Sequence, residues 1–386
     1  MLKTEISVVT RRFFDWLRSE ALPLWSTTGV DSQGGFIEQL TPDGQVIADV
    51  RRARLVARQI FAFRSAADHG WSGPVERVVQ HGLRALLDRH LTLEGQIVPR
   101  YIPAEDRGEG AFDLYDQAFV LFGLANGFAQ ICDPRLEATA LSVLAKMRAN
   151  WAQPGGGFAE HRPAQAPLKA NPHMHLLEAA LAWMEASSYP AWHELAAEIV
   201  KLCLDRFIDP ARGSLHEYFD TDWNIIAAGQ EAVVEPGHQA EWAWLLLRWQ
   251  KIQPTDGLET AAARLMAIAE GEGLDRNQQR LINELNGDLS SRDRRLRLWP
   301  QTERIKALIA FQEAEADPEI RVDLEERLVQ AVAGMLGYFD HPIAGSWWEH
   351  FDEQGKAMWE PARASSLYHI MGAANALARL TGLRLD

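Results

Sequence analysis

A glycine-led segment recurs along this chain about every 60 residues, and it narrows the possible folds more than any other feature. Its members are Gly34–Glu38, Gly95–Tyr101, Gly155–His161, Gly213–Phe219 and Gly345–Phe351, with a degenerate sixth near Gly271 to Asn286. Several run on into a turn signal and a second extended run, as in Thr41-Pro42-Asp43-Gly44 before Val46-Ile47, which predicts short β-hairpins. A chain that repeats one small unit buries its apolar faces by stacking copies of that unit.

Between the glycine segments apolar residues recur at three- and four-residue spacing, the period of a helix. Twelve such stretches fall near 5–19, 50–68, 74–90, 113–131, 135–151, 171–187, 191–208, 236–251, 258–271, 300–315, 319–337 and 361–382, two per repeat. Asp133-Pro134, Asn171-Pro172, Pro236, Pro300 and Pro361 mark starts. Alternate stretches, such as Leu114 to Ile131 and Glu241 to Trp249, are apolar almost all round, as an inner ring buried on two sides must be. An open array of six hairpins would expose two ends, whereas a closed ring buries both. The pattern therefore predicts an all-α chain, an (α/α)6 barrel of twelve helices in six hairpins with short β-hairpins in the connecting loops, forming a single domain over 1–386. In such a barrel the N-terminal ends of the inner helices surround one pocket and favour developing negative charge there.

Composition excludes several functions. A net charge of -14 gives no field that attracts a polyanion, so neither nucleic acid nor an anionic membrane is an expected partner. Cys132 and Cys203 are too few for a disulfide framework or a cysteine zinc site and suit a reducing compartment. Charged residues interrupt the N-terminal apolar run, so no signal peptide is expected, and a cytoplasmic location follows. Neither P-loop nor G-x-G-x-x-G spacing occurs, so no cofactor is expected.

The residues suited to chemistry cluster at the predicted inner-helix starts. His238 and Glu241, within Glu235 to Trp242, share a helix face, so the carboxylate can hold the imidazole or contact the same substrate. Asn171 and His175 face one way on the next cluster, while His173 diverges from His175 by about 200°, a poor geometry for a shared metal, and no metal is expected. His369 lies in an apolar run after Arg363-Ala364-Ser365-Ser366. Arg58 stands among apolar and aromatic residues, where it either meets an acid such as Glu241 or awaits an anionic intermediate. Tyr115 and Trp299 offer aromatic faces with polar edges to a sugar. The basic run Arg292 to Arg297 reads as a solvated loop, although Arg292, Arg294, Arg295 or Arg297 could reach a phosphate.

In this order the residues resemble the N-acylglucosamine 2-epimerase superfamily, which includes mannose isomerases, sulfoquinovose isomerases and cellobiose 2-epimerases. The likeness runs from the Arg58-Gln59 helix through Asn171 to His175, Pro236 to Trp242, Trp299 to Glu303, Gly345 to Phe351 and Tyr368-His369. It implies that His238 and His369 are an acid/base pair and that Arg58 stabilises an enediolate oxygen. Asn171, His175 and Glu241 would then bind or orient substrate, Tyr115 and Trp299 line the pocket, and Glu303 gives support.

The expected reaction is aldose–ketose isomerisation of the mannose-to-fructose type through a cis-enediolate, on a small sugar and without cofactor. Histidine suits it because its ordinary pKa lies near neutrality. A single tryptophan at Leu298-Trp299-Pro300 and modest loops favour isomerisation over 2-epimerisation of N-acylglucosamine or a disaccharide. A glycoside hydrolase using Glu160, Glu217, Glu241 or Glu349 is the rival enzyme, and a helical binding scaffold is the non-enzymatic one. A homodimer is the expected assembly.

Overall fold

The structure is a computed structural model that describes residues 2–47, 50–92 and 94–386. Thirteen α-helices follow one another in the described residues. They are α1 (Leu2–Trp16), α2 (Leu22–Thr27), α3 (Ala53–Asp68), α4 (Val75–Arg89), α5 (Leu114–Ile131), α6 (Pro134–Trp151), α7 (Ala170–Ala186), α8 (Pro190–Leu202), α9 (Pro236–Ile252), α10 (Leu258–Glu270), α11 (Leu298–Ala314), α12 (Pro318–Leu336) and α13 (Ser366–Thr381). A π-turn over Leu17–Ala21 carries α1 into α2, so these two form one column and the expected twelve columns result. The first column outruns its expected end because Pro23 falls in the first turn of α2, where a missing N–H costs little.

Burial pattern assigns each helix to a ring. Helix α5 is buried nearly all round, whereas α4 buries only the stripe Val75, Val78, Val79, Gly82, Leu83, Ala85 and Leu86. Local signals set the ends: Asp113 caps α5 by accepting from Asp116 N at 3.1 Å, and α5 stops where Cys132 turns left-handed. Asp133 and Asp317, each followed by proline, cap outer helices α6 and α12 in the same way. The inner helices pack in the order α3, α5, α7, α9, α11, α13 and back to α3, which closes the ring, and α4, α6, α8, α10 and α12 each back the inner helix before them. Indoles fill the space between rings, as where Trp183 of α7 stacks on Trp192 of α8 at 4.9 Å. Truncating such a ring typically costs about 3–5 kcal/mol.

The glycine segments form the expected small hairpins, seen as bridges between Val30 and Phe36, Leu40 and Val46, Leu91 and Ile97, Ala152 and Phe158, Ile208 and Leu215, and Phe351 and Ala357. The degenerate sixth is a true member, with Leu274–Asp275 pairing Arg280–Leu281. Several hairpins also pair with a strand from another repeat: Leu168–Lys169 with Tyr218–Phe219, Leu296–Arg297 with His350–Phe351, and Gln39–Leu40 with Ala362–Arg363. The last pairing joins the first repeat to the last, and it draws Ala362–Arg363 out of helix, so α13 begins at Ser366 rather than at the expected Pro361. Trp25 seals the same seam, donating from Nε1 to Gly345 O at 3.1 Å and stacking on Trp347. A side chain at Gly345, where φ is +81°, would put Cβ 2.4 Å from Glu20 O. No helix among the described residues is long and apolar enough to cross a membrane.

Candidate active site

All eight residues expected at the site line one cavity of about 210 Å³: Arg58, Tyr115, Asn171, His175, His238, Glu241, Trp299 and His369. Each comes from the first two turns of an inner helix, and all six inner helices contribute. The N-terminal peptide dipoles of the ring therefore converge on this space. A second cavity, about 520 Å³, opens at the other end of the barrel axis, where Glu178 and Lys306 form part of its lining.

His238 and His369 face each other across Trp299, whose ring centroid lies 4.9 Å from one imidazole and 5.5 Å from the other. Gly237 makes this possible, because a Cβ there would come 2.5 Å from the Trp299 ring. Both imidazoles engage a carboxylate through Nδ1. His238 pairs with Glu217 Oε1 at 2.9 Å and has Glu235 at 3.8 Å, while His369 pairs with Glu303 Oε1 at 2.8 Å. That leaves Nε2 of each as the nitrogen available to a ligand.

Similar partners leave the two rings in opposite states. Burial works against a charge on His238, but Glu217 and Glu235 overcome it and hold the imidazole up at about 10. At His369 burial wins: with Arg58 and Lys306 adding to it, the pull of Glu303 is outweighed and the ring sits at about 4. Glu303 itself is buried, yet Lys306 at 2.6 Å and His369 keep its carboxyl down at about 2. Near neutrality, then, one imidazole is a proton donor and the other an acceptor.

Polar groups with no protein partner mark where a ligand would bind. Glu241 is buried with both carboxylate oxygens unpartnered, and burial, with the Glu303 charge behind it, raises its pKa well above the ordinary carboxyl value. Asn171 Oδ1 and Arg58 Nε are likewise unpartnered. Arg58 has no acid within ion-pair distance among the described residues; it donates from Nη2 to Tyr115 Oη at 2.6 Å and lies 4.1 Å over the Phe119 ring. Of the two sequence readings of this guanidinium, the one in which an acid such as Glu241 satisfies it is not met among the described residues, and its charge is left for the ligand.

Over residues 35–373 the chain matches the family model described as N-acylglucosamine 2-epimerase (GlcNAc 2-epimerase). The chain belongs to this family. It is 36% identical over 369 residues to a protein of Rhizobium meliloti named Mannose-6-phosphate isomerase, covering 93% of this chain and 94% of that one. It is 24% identical over 389 residues to a D-mannose isomerase of Marinomonas mediterranea, covering 94% and 96%. The structure of cellobiose 2-epimerase from Spirochaeta thermophila superposes with a TM-score of 0.87 at 17% identity, covering 99% of this chain and 98% of that one.

Set within the family fold, some sequence expectations change. The acid that holds His238 is Glu217, from a neighbouring glycine segment, and not Glu241. The repeat carries the signal: Glu38, Glu160, Glu217 and Glu349 occupy corresponding positions in their glycine segments, and the carbonyls of Glu38, Glu217 and Glu349 accept Ala364, Ala170 and Leu298 N–H at or just before inner-helix starts. Glu38 and Glu349 use their carboxylates on backbone N–H of Arg52 and Arg363, and Glu160 pairs Lys169, so Glu217 alone of these is turned to an imidazole. Glu178 was also missed; it accepts from His175 Nδ1 at 3.3 Å and pairs with Tyr368 Oη. His173 is structural, taking Phe158 N–H on Nε2 at 2.9 Å. Arg297 belongs to the cavity wall and not to a solvated loop.

Three donor triads could close around a cation: His175–Glu178–Glu241, Glu217–Glu235–His238 and Glu241–Glu303–His369. In each the histidine already holds a carboxylate of the triad through Nδ1, so a cation would have to displace that hydrogen bond first.

Proposed function

We propose that this chain is an aldose–ketose isomerase acting on a hexose of the mannose–fructose type, with 1–386 serving as one catalytic domain. One observation carries the reading: two imidazoles of opposite poise face one small polar cavity across a single indole. The names of the relatives, a mannose-6-phosphate isomerase and a D-mannose isomerase, support the choice of sugar. The family places isomerases and epimerases on one scaffold, and no observation at the cavity favours a disaccharide.

In the proposed reaction the open-chain aldose lies with C1 and C2 between the two rings. Neutral His369 takes the C2 proton through Nε2, and the C2–H electron pair moves into a C1–C2 double bond as the aldehyde oxygen becomes negative. The His238 imidazolium and the Arg58 guanidinium stabilise that oxygen, a kind of contribution whose loss typically costs about 3–4 kcal/mol. Once the His238 imidazolium has given its Nε2 proton to that oxygen, the proton held on His369 returns to C1 while the O2 proton passes to the now neutral His238, which gives the ketose and restores both rings. Glu241, whose carboxyl burial holds well above the ordinary range and whose oxygens have no protein partner, meets a sugar hydroxyl, and Asn171 and His175 orient the chain.

Hydrolysis is less well supported, because it needs two carboxyl groups facing each other across the bond to be cut. Of Glu160, Glu217, Glu241 and Glu349, only Glu241 keeps both oxygens unpartnered. The reading is tested by incubating the protein with free and phosphorylated mannose, fructose, glucose and N-acetylglucosamine in D2O and following the products by NMR. Ketose formation with deuterium entering at C1 of the ketose and at C2 of the aldose is expected. Inversion at C2 without ketose would replace the reading by epimerisation, and reducing-sugar release from oligosaccharides without exchange would replace it by hydrolysis.

A further inference from the structure

We propose that Arg297 and Arg363 form a phosphate subsite on the lip of this cavity, so that the hexose turned over here carries its phosphate at C6. The inference rests on the aldose–ketose reading above and extends it to the far end of the substrate.

Acids outnumber bases in this chain, 53 to 39, and most arginines near the barrel mouth are paired. Arg292 pairs with Glu284 at 3.2 Å, Arg294 with Asp275 at 3.1 Å and Arg295 with Asp293 at 2.7 Å. Arg297 and Arg363 line the cavity, are both half-buried, and have no acid within ion-pair distance among the described residues. Nearby carboxylates are engaged elsewhere. Glu360 accepts from His350 Nδ1 at 2.5 Å, and Glu235 is turned towards His238 at 3.8 Å. Glu349, also on the cavity wall, accepts from Trp347 Nε1 and Arg363 N at 2.8 Å and from Ser366 Oγ at 2.9 Å. Arg297 acts on Glu235 and Arg363 on Glu360 only from beyond ion-pair distance, so both guanidinium forks keep donors free for an anionic ligand.

Their placement fits one end of one kind of ligand. Arg297 directly precedes α11, and Arg363 stands three residues before α13, so both lie outside the turns that carry Trp299 and His369. The Arg297 guanidinium lies 5.6 Å from the Trp299 ring, which in turn borders both imidazoles. An extended hexose reaches from C2 to a C6 phosphate over roughly 7 Å, at about 1.2 Å per bond. A phosphate at C1 is ruled out chemically, because the ring could not open to the aldehyde that acidifies the C2 proton. Forked guanidinium donors match phosphate oxygens in geometry and charge.

The test compares kcat/KM for mannose 6-phosphate and for mannose in the wild-type protein, Arg297→Gln and Arg363→Gln. The wild type is expected to prefer the phosphate at least 10-fold, and each variant to lower the ratio of the two values by roughly 10- to 100-fold. A wild-type protein that handles both sugars equally, or variants that leave the ratio intact, would overturn the subsite while leaving the isomerase reading standing. Failure of the wild type on both sugars would instead strike the isomerase reading. Should a variant fail to fold, inorganic phosphate supplies a wild-type measurement: competitive inhibition against mannose 6-phosphate is expected, and none at tens of millimolar would contradict the subsite.

Discussion

The wall of the cavity that carries His238 and the wall that carries His369 are built alike: each presents an imidazole from the first turn of an inner helix, holds it by a carboxylate on Nδ1, and faces it to Trp299. The hydrogen bonds, 2.9 and 2.8 Å, are nearly equal, yet one ring is held charged and the other neutral. The difference lies one layer further out. Behind His238 a second acid, Glu235, reinforces Glu217, whereas behind His369 the Glu303 charge is already matched by Lys306 and Arg58 adds another positive charge. An imidazole's partner fixes its tautomer, and the charge beyond that partner fixes its protonation.

Removing either ring should break the comparison most severely. His238→Asn and His369→Asn should each lower kcat by roughly 10²–10⁴-fold, measured at a temperature where circular dichroism shows each variant folded. Near-wild-type turnover in either variant would show that one imidazole does all the proton work. Arg58→Gln comes next, lowering kcat about 100-fold. Because Arg58 helps hold His369 down, the acid limb of the rate profile should also move to higher pH, and a limb that stays put would separate Arg58 from His369.

The pH profile sharpens the contrast without mutation. With the base at about 4 and the acid at about 10, kcat/KM should be flat through neutrality, falling below about 4 as His369 protonates and above about 10 as His238 deprotonates. A bell centred near 6.5 would mean that both rings titrate as ordinary histidines. Glu217→Gln removes a charge that raises His238 and should move the alkaline limb down, while Glu303→Gln removes one that raises His369 and should move the acid limb lower still.

The smallest effect is on stability, and its sign again differs between the walls. His90, His173, His175 and His369 are all held by burial at about 4, below the unfolded value of 6.5. Between those values the unfolded chain binds more protons, so stability falls on acidification, by at most about 1.4 kcal/mol per pH unit for each histidine. His238, held above its unfolded value, contributes stability that is full below pH 6.5 and is lost as pH rises through about 10. Denaturant melts at pH 7.5, 6 and 5 should show a declining midpoint, and a flat midpoint would argue against neutral buried imidazoles.

The same division, between what neighbours in sequence decide and what distant residues decide, governs how much was legible in the chain. The twelve helical columns, their inner and outer rings and the residues at inner-helix starts follow from local period, proline and capping signals, as at Asp113 and Asp133. The start of α13 was misplaced because Ala362–Arg363 answers to Gln39–Leu40, at the other end of the chain. Glu241 was expected to hold His238 because i,i+3 spacing is visible, whereas Glu217 lies 21 residues away on a hairpin that only barrel closure brings over α9. Arg297 read as one more residue of a basic loop because nothing local separates it from Arg292, Arg294 and Arg295, whose acids are supplied by the fold.

The most direct measurement is an NMR titration of protein labelled with ¹⁵N-histidine, with His238→Asn and His369→Asn used to assign the two rings among the 12 histidines. At pH 7.5 His238 should show two protonated ring nitrogens, and His369 one protonated and one bare, each state persisting at least one pH unit to either side. Two rings that titrate together near 6.5, or that exchange these states, would contradict the account.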